Sequence, residues 1–414
     1  MVLQLRRRAA ARDRASDLPV AEMVVVGVAV FTITALAFFR VAILPSIGDD
    51  LAMSTAQLGF FSAAYAVGRV LTDLPAGHLA DRLPVVSVMR RAALVVALGS
   101  LLLAIAPVSA VGFAGMFVLG VGTALANTSG ATYFSTVAPV SRRGLAVSGF
   151  AGAQLGGQAF GPAISGALAT LGTWRTSELA AVFIAIALVV GTYWGRVTRV
   201  LAAHAHRTRK GGDRTGTWKM TWPMRLALNS IPFVMFLTIG SMIQTLAPII
   251  GKDEFGLTPA VIGLAAGLGG LCRFAGALVG GQVADHLGRK AALVPGLVLQ
   301  SIGVALLAVG DQVAIWILSI ALLSLGSIGT AVAMAVLGDV AEPGTLGRLL
   351  GRFRFWGDIG LIVGPILTAW LYDAYGKAAA VLPVAGLVAL CAVAAMAWIP
   401  ETRWGSERRR PAVT

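Results

Sequence analysis

Five charged residues interrupt long apolar runs of this sequence, and packing alone explains them poorly. They are Arg40, Arg69, Asp73, Arg273 and Asp358. A guanidinium group can hold an anionic or polar molecule through two parallel hydrogen bonds, and a carboxyl group can bind and release a proton. These five residues are therefore the candidates for solute binding or for proton exchange.

The composition indicates that these charges lie inside a membrane protein. Of the 414 residues, 57% are hydrophobic and 13% are charged, whereas about 25% of the residues in a soluble domain are charged. One membrane span needs roughly 20 apolar residues, so the chain has room for about twelve spans and a soluble enzyme core is excluded. We predict spans at residues 21–44, 57–76, 88–106, 111–135, 144–171, 179–195, 226–250, 259–281, 291–310, 313–337, 355–371 and 379–399.

A charge within a span is costly and is functional by default, but each of these charges also has a structural alternative. Arg69 could be neutralised by Asp73 or by Asp358. Asp358 could exchange a proton, switch partners between Arg69 and Arg354, or form a static salt bridge. Arg40 is four residues from the predicted end of its span, so its side chain could snorkel to the membrane surface instead of binding a substrate. The sequence leaves these alternatives open.

The net charge of +14 is distributed unequally between the two sides of the membrane. With the N-terminus inside, most of the 33 basic residues lie in the tails, in the inner loops or in the segment 196–225, and those outside are Arg175, Lys252 and Lys377. This asymmetry favours an even number of spans with both termini in the cytoplasm. It also explains the charge without a nucleic-acid partner.

A Gly-x-x-x-Asp pattern occurs twice, at residues 77–81 and 281–285, and the two copies are 204 residues apart. Arg69 and Arg273 precede their copies by the same eight residues, which places both about 12 Å along a helix from the loop. A constant offset near half the chain length predicts two duplicated six-helix halves. The predicted divisions are an N-terminal tail (1–20), a first half (21–195), a linker (196–225), a second half (226–399) and a C-terminal tail (400–414).

The repeated loop resembles the signature of the major facilitator superfamily of secondary transporters. The matching residues are Gly77, Asp81, Arg82, Gly281, Asp285, Gly288, Arg289 and Lys290. The resemblance implies that each aspartate faces the N-terminus of a helix from the other half and closes the inner side, although each could simply cap its own loop. The first copy departs from the pattern at Pro84, Val85 and Val86, so we expect Asp285 to matter more than Asp81.

A glycine-rich pattern also occurs in both halves and resembles the antiporter motif of drug-efflux members of that family. Its residues are Gly157, Gly161 and Pro162, with a reduced copy at Gly360, Gly364 and Pro365. Glycines at this spacing let helices approach closely, and proline lets a helix bend, although ordinary tight packing is the alternative. Leu36 and Met116 stand where the resemblance implies an acidic residue and an arginine, and both departures weaken the case for proton-coupled drug export.

The sequence as a whole predicts an all-α integral membrane fold with about twelve transmembrane helices in two pseudo-symmetric six-helix halves. The function that the resemblance implies is proton-coupled efflux of a small organic or amphipathic compound by alternating access. The alternatives are uptake or exchange of a small anion, and a nontransporting receptor or scaffold with the same fold. A Walker loop is absent from the sequence, which disfavours ATP-driven pumping. We expect no enzyme activity, no cofactor and no metal. The expected partners are a small-molecule substrate, protons and the lipid bilayer, and we expect a monomer in the plasma membrane.

Overall fold

The computed structural model describes residues 20–137, 143–193, 221–340, 346–399 and Glu401. These residues form helices, and no strand occurs among them. In the described part of the chain, nine helices are long and apolar enough to cross a membrane. The predicted all-α membrane fold is confirmed. Most of the predicted tails and most of the predicted linker lie outside the described residues.

The helices follow one another in two groups. The N-terminal half contains α1 (Val20–Asp50), α2 (Thr55–Arg82), α3 (Val85–Ala104), α4 (Ser109–Val137), α5 (Arg143–Leu171) and α6 (Trp174–Gly191). The C-terminal half contains α7 (Trp222–Asp253), α8 (Pro259–His286), α9 (Arg289–Val309), α10 (Val313–Leu325, Gly326–Ile328 and Gly329–Val340), α11 (Leu346–Tyr375) and α12 (Lys377–Trp398).

Each half has its own buried apolar cluster. Phe61 and Met116 are fully buried in the N-terminal half, and Trp316 is buried at 1% exposure in the C-terminal half. Large apolar side chains such as Leu98 and Phe183 remain exposed. An apolar surface of this kind is stable against lipid tails, and the helices satisfy their own backbone hydrogen bonds there.

Local sequence explains where several helices begin. Ser54 caps α2, because its hydroxyl accepts a hydrogen bond from Gln57 N at 3.3 Å while Gln57 Oε1 accepts one from Ser54 N at 2.9 Å. This reciprocal arrangement satisfies two backbone donors that would otherwise lack partners. Thr173 and Thr176 form the same kind of cap on α6.

The two glycine motifs bring helix backbones into contact within each half. A Cβ atom at Gly161 would overlap the carbonyl oxygen of Ala35 on α1, and one at the corresponding Gly364 would overlap the carbonyl oxygen of Leu237 on α7. Any larger residue at these positions must therefore push two helices apart. The same contact recurs in both halves, which supports the duplication.

The halves meet along two pairs of helices, α2 with α11 and α5 with α8. Gly166 lies against the carbonyl oxygen of Pro259, and Gly263 lies against that of Pro162. Small residues let these backbones approach closely, as is typical of helix interfaces in membranes.

The middle of α7 is not an α-helix. Residues Ile239–Leu246 form a π-helix, in which each backbone bond spans one more residue than in an α-helix. Before this segment, Ala35 of α1 and Leu237 of α7 contact the glycine motifs of their halves, and they are 202 residues apart in the sequence. After it, the corresponding prolines, Pro45 of α1 and Pro248 of α7, are 203 residues apart. The wider turn therefore accommodates one residue that α1 lacks.

Candidate functional site

Arg40 lies buried between the two halves. Its Nη2 atom donates a hydrogen bond to Gln244 Oε1 at 2.5 Å, and its guanidinium group stacks on the ring of Tyr65 at 4.2 Å. The residue is 1% exposed, and α1 continues ten residues beyond it to Asp50. The alternative in which Arg40 snorkels to the membrane surface is therefore wrong, because the helix is longer than the apolar run suggested.

Gln244 comes from the π-helix of α7 and is itself buried, at 6% exposure. Arg40 and Gln244 are 204 residues apart, which is close to the repeat offset, so they occupy comparable depths in the two halves. The hydrogen bond between them joins α1 and α7 across the axis that relates the halves. The Nε and Nη1 atoms of Arg40 have no hydrogen-bond partner among the described residues.

Arg69 lies near two carboxylates from different halves. The charges of Asp358 on α11 and Asp73 on its own helix both act on it. Asp73 accepts a hydrogen bond from Thr128 Oγ1 at 2.9 Å, and Asp358 is 8% exposed. Among the described residues, no ion pair shorter than 4.0 Å joins Arg69 to either acid. The predicted group of Arg69, Asp73 and Asp358 is brought together, but its charges are separated in this conformation.

Arg273 occupies the corresponding position on α8 with a different partner. Its Nη1 atom donates to Gln158 Oε1 on α5 at 2.8 Å, and its Nε atom has no hydrogen-bond partner among the described residues. No carboxylate in the described part of the chain forms an ion pair with it. The two symmetric arginines therefore differ, because Arg69 faces an acid across the interface and Arg273 faces a neutral amide.

The two halves are in contact at the end of the interface where α1 ends at Asp50 and α7 ends at Asp253. We call this end the closed face. Lys252 forms an ion pair there with Asp49 of the other half. Two further contacts cross between the halves at this end. They are the hydrogen bond from Ala260 N to Thr170 Oγ1 at 3.1 Å and the one from Ala56 N to Asp373 Oδ2 at 3.4 Å.

The opposite end is the open face, where α2 and α8 end at Arg82 and His286. Among the described residues, no atom lies within 4 Å of a Cβ built at Gly77 or at Gly281. Both candidate gating loops therefore have room at this face.

The second gating loop is held within its own half. Asp285 accepts a hydrogen bond from Arg289 Nη1 at 2.8 Å, and Arg289 Nε donates to Asp339 at 3.2 Å. The Asp285 side chain is 67% exposed. Gly288 has a φ of 119°, and Glu401 accepts a hydrogen bond from Lys290 N at 3.3 Å. The side chain of Asp81 lies outside the described residues.

The chain was compared with known protein families and structures. The family model for the Major Facilitator Superfamily matches residues 25–252 and residues 232–414. The chain belongs to the Major Facilitator Superfamily. Members of this superfamily are transport proteins, so the chain is a multi-pass membrane transporter of a small molecule and not an enzyme.

Two curated relatives and one solved structure illustrate the place of the chain within the superfamily. It is 25% identical to the tetracycline resistance protein, class C, of Escherichia coli over 349 residues, which cover 80% of this chain and 85% of that protein. It is 26% identical to the class H protein of Pasteurella multocida over 327 residues, covering 76% and 79%. A bacterial homologue of the human lysosomal transporter Spinster, in an inward-facing and occupied conformation, has a TM-score of 0.73 at 14% identity and covers 94% of this chain and 98% of that one. This last likeness shows the superfamily fold alone.

Sequence reasoning missed three polar residues that the superfamily fold brings to this region. Gln244 and Gln158 are uncharged, so a search for charges inside spans passes over them, although Gln244 could have been found at the repeat offset from Arg40. Glu178 was missed because the sixth span was predicted to start at residue 179, whereas α6 begins at Trp174. Helix capping at Thr173 was the signal that could have corrected this boundary.

We predict that Lys252→Ala makes the closed face open more often. The ion pair with Asp49 is partly exposed, and such pairs contribute about 0.2–1 kcal/mol, so the shift should be at most about fivefold. The measurement is the rate at which a cysteine placed at Ala42, which is buried against Gly263 of the other half, reacts with a water-soluble maleimide in a background without Cys272 and Cys391. The charge-swapped double variant Asp49→Lys, Lys252→Asp should restore the original rate, and an unrestored rate would contradict the role of the pair.

Proposed function

We propose that this chain is a secondary exporter that moves a small organic or amphipathic compound out of the cell in exchange for protons, by alternating access between its two halves. The observation that carries the proposal is the row of buried and half-buried polar groups at mid-depth between the halves, in which Arg40 bonds to Gln244, Arg273 bonds to Gln158 and Arg69 lies near Asp358. Buried charges between moving halves are costly unless they bind a solute or exchange partners. The names of the two tetracycline resistance relatives support the export direction.

In this proposal the closed face is extracellular and the open face is cytoplasmic. The basic residues support this orientation, because they are concentrated in the loops and tails that the proposal places inside. Both termini are then cytoplasmic, the chain lies in the cell membrane, and the segment 196–225 links two rocking halves. The conformation described above is inward-facing, and we propose that the monomer is the transporting unit.

The mechanism follows from the contacts between the halves. Opening the extracellular side requires the halves to separate at Asp49 and Lys252 and at the Gly166 and Pro259 contact. The same rocking motion brings α2 and α8 together at the cytoplasmic side. A solute bound near Arg69 and Arg273 would then face one side of the membrane at a time.

A second candidate is transport of a small anion, and Arg273 favours it. Arg273 is a cation within the membrane that has a single amide partner, so it could hold a carboxylate or phosphate group of a substrate. Arg69 differs, because Asp358 and Asp73 reduce its attraction for anions. An amphipathic substrate with one acidic group would satisfy both candidates.

Flux measurements in proteoliposomes test the proposal. We expect an inside-acidic pH gradient to drive uptake of labelled tetracycline, or of other amphipathic probes, into vesicles that carry the protein in the inverted orientation. Competition by aliphatic carboxylates, with no response to the pH gradient, would instead support anion exchange. No flux of either class of probe would favour the receptor or scaffold alternative.

We predict that Asp285→Asn reduces transport more than Asp81→Asn. Asp285 belongs to the complete copy of the loop. It is bonded to Arg289, which is also bonded to Asp339, and these bonds must be rearranged if Asp285 closes the cytoplasmic side in the other state. We expect a severalfold larger loss for Asp285→Asn in initial rates of proteoliposome flux. Asp311→Asn, at the opposite end of the C-terminal half, serves as the control, and equal losses at Asp81 and Asp285 would refute the unequal roles.

A further inference from the structure

Glu178 is an acid in the interior of the N-terminal half that the mechanism above does not use. It lies one turn into α6, its residue is 0% exposed, and neither carboxyl oxygen has a hydrogen-bond partner among the described residues. A carboxylate without donors in an apolar interior is far less stable than the protonated acid. The position therefore suits a carboxyl group that holds a proton in this conformation.

Among the described residues, one cation acts on the charge of Glu178. Arg40 on α1 acts on its charge, although no ion pair shorter than 4.0 Å joins them in the described part of the chain. From α3, the Ser100 hydroxyl faces the carboxyl group without a hydrogen bond of good geometry. The neighbouring helix α5 faces it with the uncharged Ser165. On α6 itself, Arg175 is paired with Asp50 at 2.7 Å.

The backbone fixes the two side chains relative to each other. Ser177, next to Glu178, donates a hydrogen bond to Ser165 O at 2.9 Å, and Ser165 donates to Phe39 O, next to Arg40, at 2.8 Å. These two bonds tie α6 to α5 and α5 to α1 at one depth. We therefore take a change of partner by Arg40 to be a side-chain movement within the packed N-terminal half.

Arg40 lies between two acceptors, Gln244 across the interface and Glu178 inside its own half. Its Nε and Nη1 atoms are buried without partners, so it has unused donors for a second acceptor. From α2, the ring of Tyr65 stacks on Arg40 and the like charge of Arg69 repels it. While Glu178 is neutral, the amide of Gln244 is the acceptor that Arg40 uses, at 2.5 Å.

We propose that Glu178 is a proton-binding residue of the transport cycle, and that its loss of a proton draws Arg40 away from Gln244 and so loosens the contact between the halves. The step transfers one proton from a Glu178 carboxyl oxygen to water and leaves a carboxylate that pairs with Arg40. Release of Gln244 removes a bond that joins α1 to α7 and favours opening of the closed face. This inference rests on the proposed proton-coupled transport, and it adds a second acid to Asp358.

Two measurements on the full-length protein test the proposal without a substrate. The first is the infrared band of protonated carboxyl groups, in which we expect one component of the wild type at neutral pH to be lost in Glu178→Gln and retained in Asp358→Asn. The second is the distance between spin labels at Leu171 and Thr258, across the closed face, in a background where Cys272 and Cys391 are replaced by alanine. We expect this distance to increase in the wild type as the pH rises and to respond much less in Glu178→Gln.

Gln244→Leu provides a second variant in case Glu178→Gln does not fold. It should lengthen the label distance even at acidic pH while the Glu178 component of the infrared band remains. Absence of this component at neutral pH, or an unchanged pH response in Glu178→Gln, would overturn the proposal. In proteoliposomes, we expect Glu178→Gln to lose gradient-driven tetracycline flux about tenfold, or about 1.4 kcal/mol, while exchange without a gradient persists. If the wild type shows the Glu178 component of the band but its flux does not respond to the pH gradient, proton-coupled transport is rejected while the protonation of Glu178 is retained.

Discussion

Replacing Asp358 with asparagine should reduce transport driven by a pH gradient about tenfold or more, while exchange of labelled for unlabelled substrate continues without a gradient. Asp358 is 8% exposed, and the charges of Arg69, Asp73 and Arg354 all act on it. An acid in this position can change its charge or its arginine partner as the halves move. An amide can do neither, and it leaves Arg69 with less compensation inside the membrane.

The control for this variant is on the same helix. Asp373→Asn lies four turns away at the closed face, where Asp373 is exposed and accepts one weak hydrogen bond from Ala56 N. We expect it to retain gradient-driven transport. If Asp358→Asn keeps full gradient-driven transport, the proton role of Asp358 is lost and a static salt bridge with Arg69 or Arg354 is the better interpretation.

Replacing Gly360 with valine should prevent most of the protein from folding. A Cβ at this position overlaps the carbonyl oxygen of Phe233, and the oxygen belongs to helix backbone that cannot move aside. Overpacking of a close interface costs about 1–3 kcal/mol even where side chains can adjust, and here α7 and α11 must separate. We expect a low yield of monodisperse protein in detergent, and a Tm several degrees below that of the wild type for what remains.

The matched control is Gly386→Val on α12. No atom lies within 4 Å of a Cβ at Gly386, so valine there should preserve yield and Tm. The pair separates loss of a helix contact from the general effect of valine in a membrane helix. Normal yield for Gly360→Val would mean that α7 and α11 do not pack as closely as described.

Much of the fold could be predicted because membrane spans and repeats leave strong patterns in a sequence. The equal spacing of Arg69 and Arg273 from their loops indicated duplicated halves, and the structure places each arginine near a polar residue of the other half, Asp358 for Arg69 and Gln158 for Arg273. The close helix approach at Gly161 and Gly360 could also be predicted, since glycines repeated at helical spacing are typical of close helix–helix contacts in membranes.

The site itself was harder to predict, because its partners depend on which helix faces lie opposite each other. The repeat offset from Arg40 is the one sequence signal for Gln244, and the π-helix that presents Gln244 has no marker in composition. The length of α1 beyond Arg40 was underestimated because Asp49 and Asp50 look like loop residues, although they end a helix that continues to the closed face. Glu178 lies in the first turns of a helix, where an acid is usually solvated, and burial by α1 and α3 could not be inferred from α6 alone.

The π-helix gives α7 one residue more than α1 in its middle segment, so the two segments are not interchangeable. An extra residue in a regular α-helix rotates all residues beyond it by about 100° around the helix axis. In α7 this rotation would have moved either the residues at the glycine contacts or those at the closed face away from their partners. The wider turn confines that rotation to Ile239–Leu246, so the contacts on both sides survive. A chimeric protein in which the middle of α1 replaces the middle of α7 would therefore be one residue short, and its helix could satisfy the packing at one end of the membrane or at the other, but not at both.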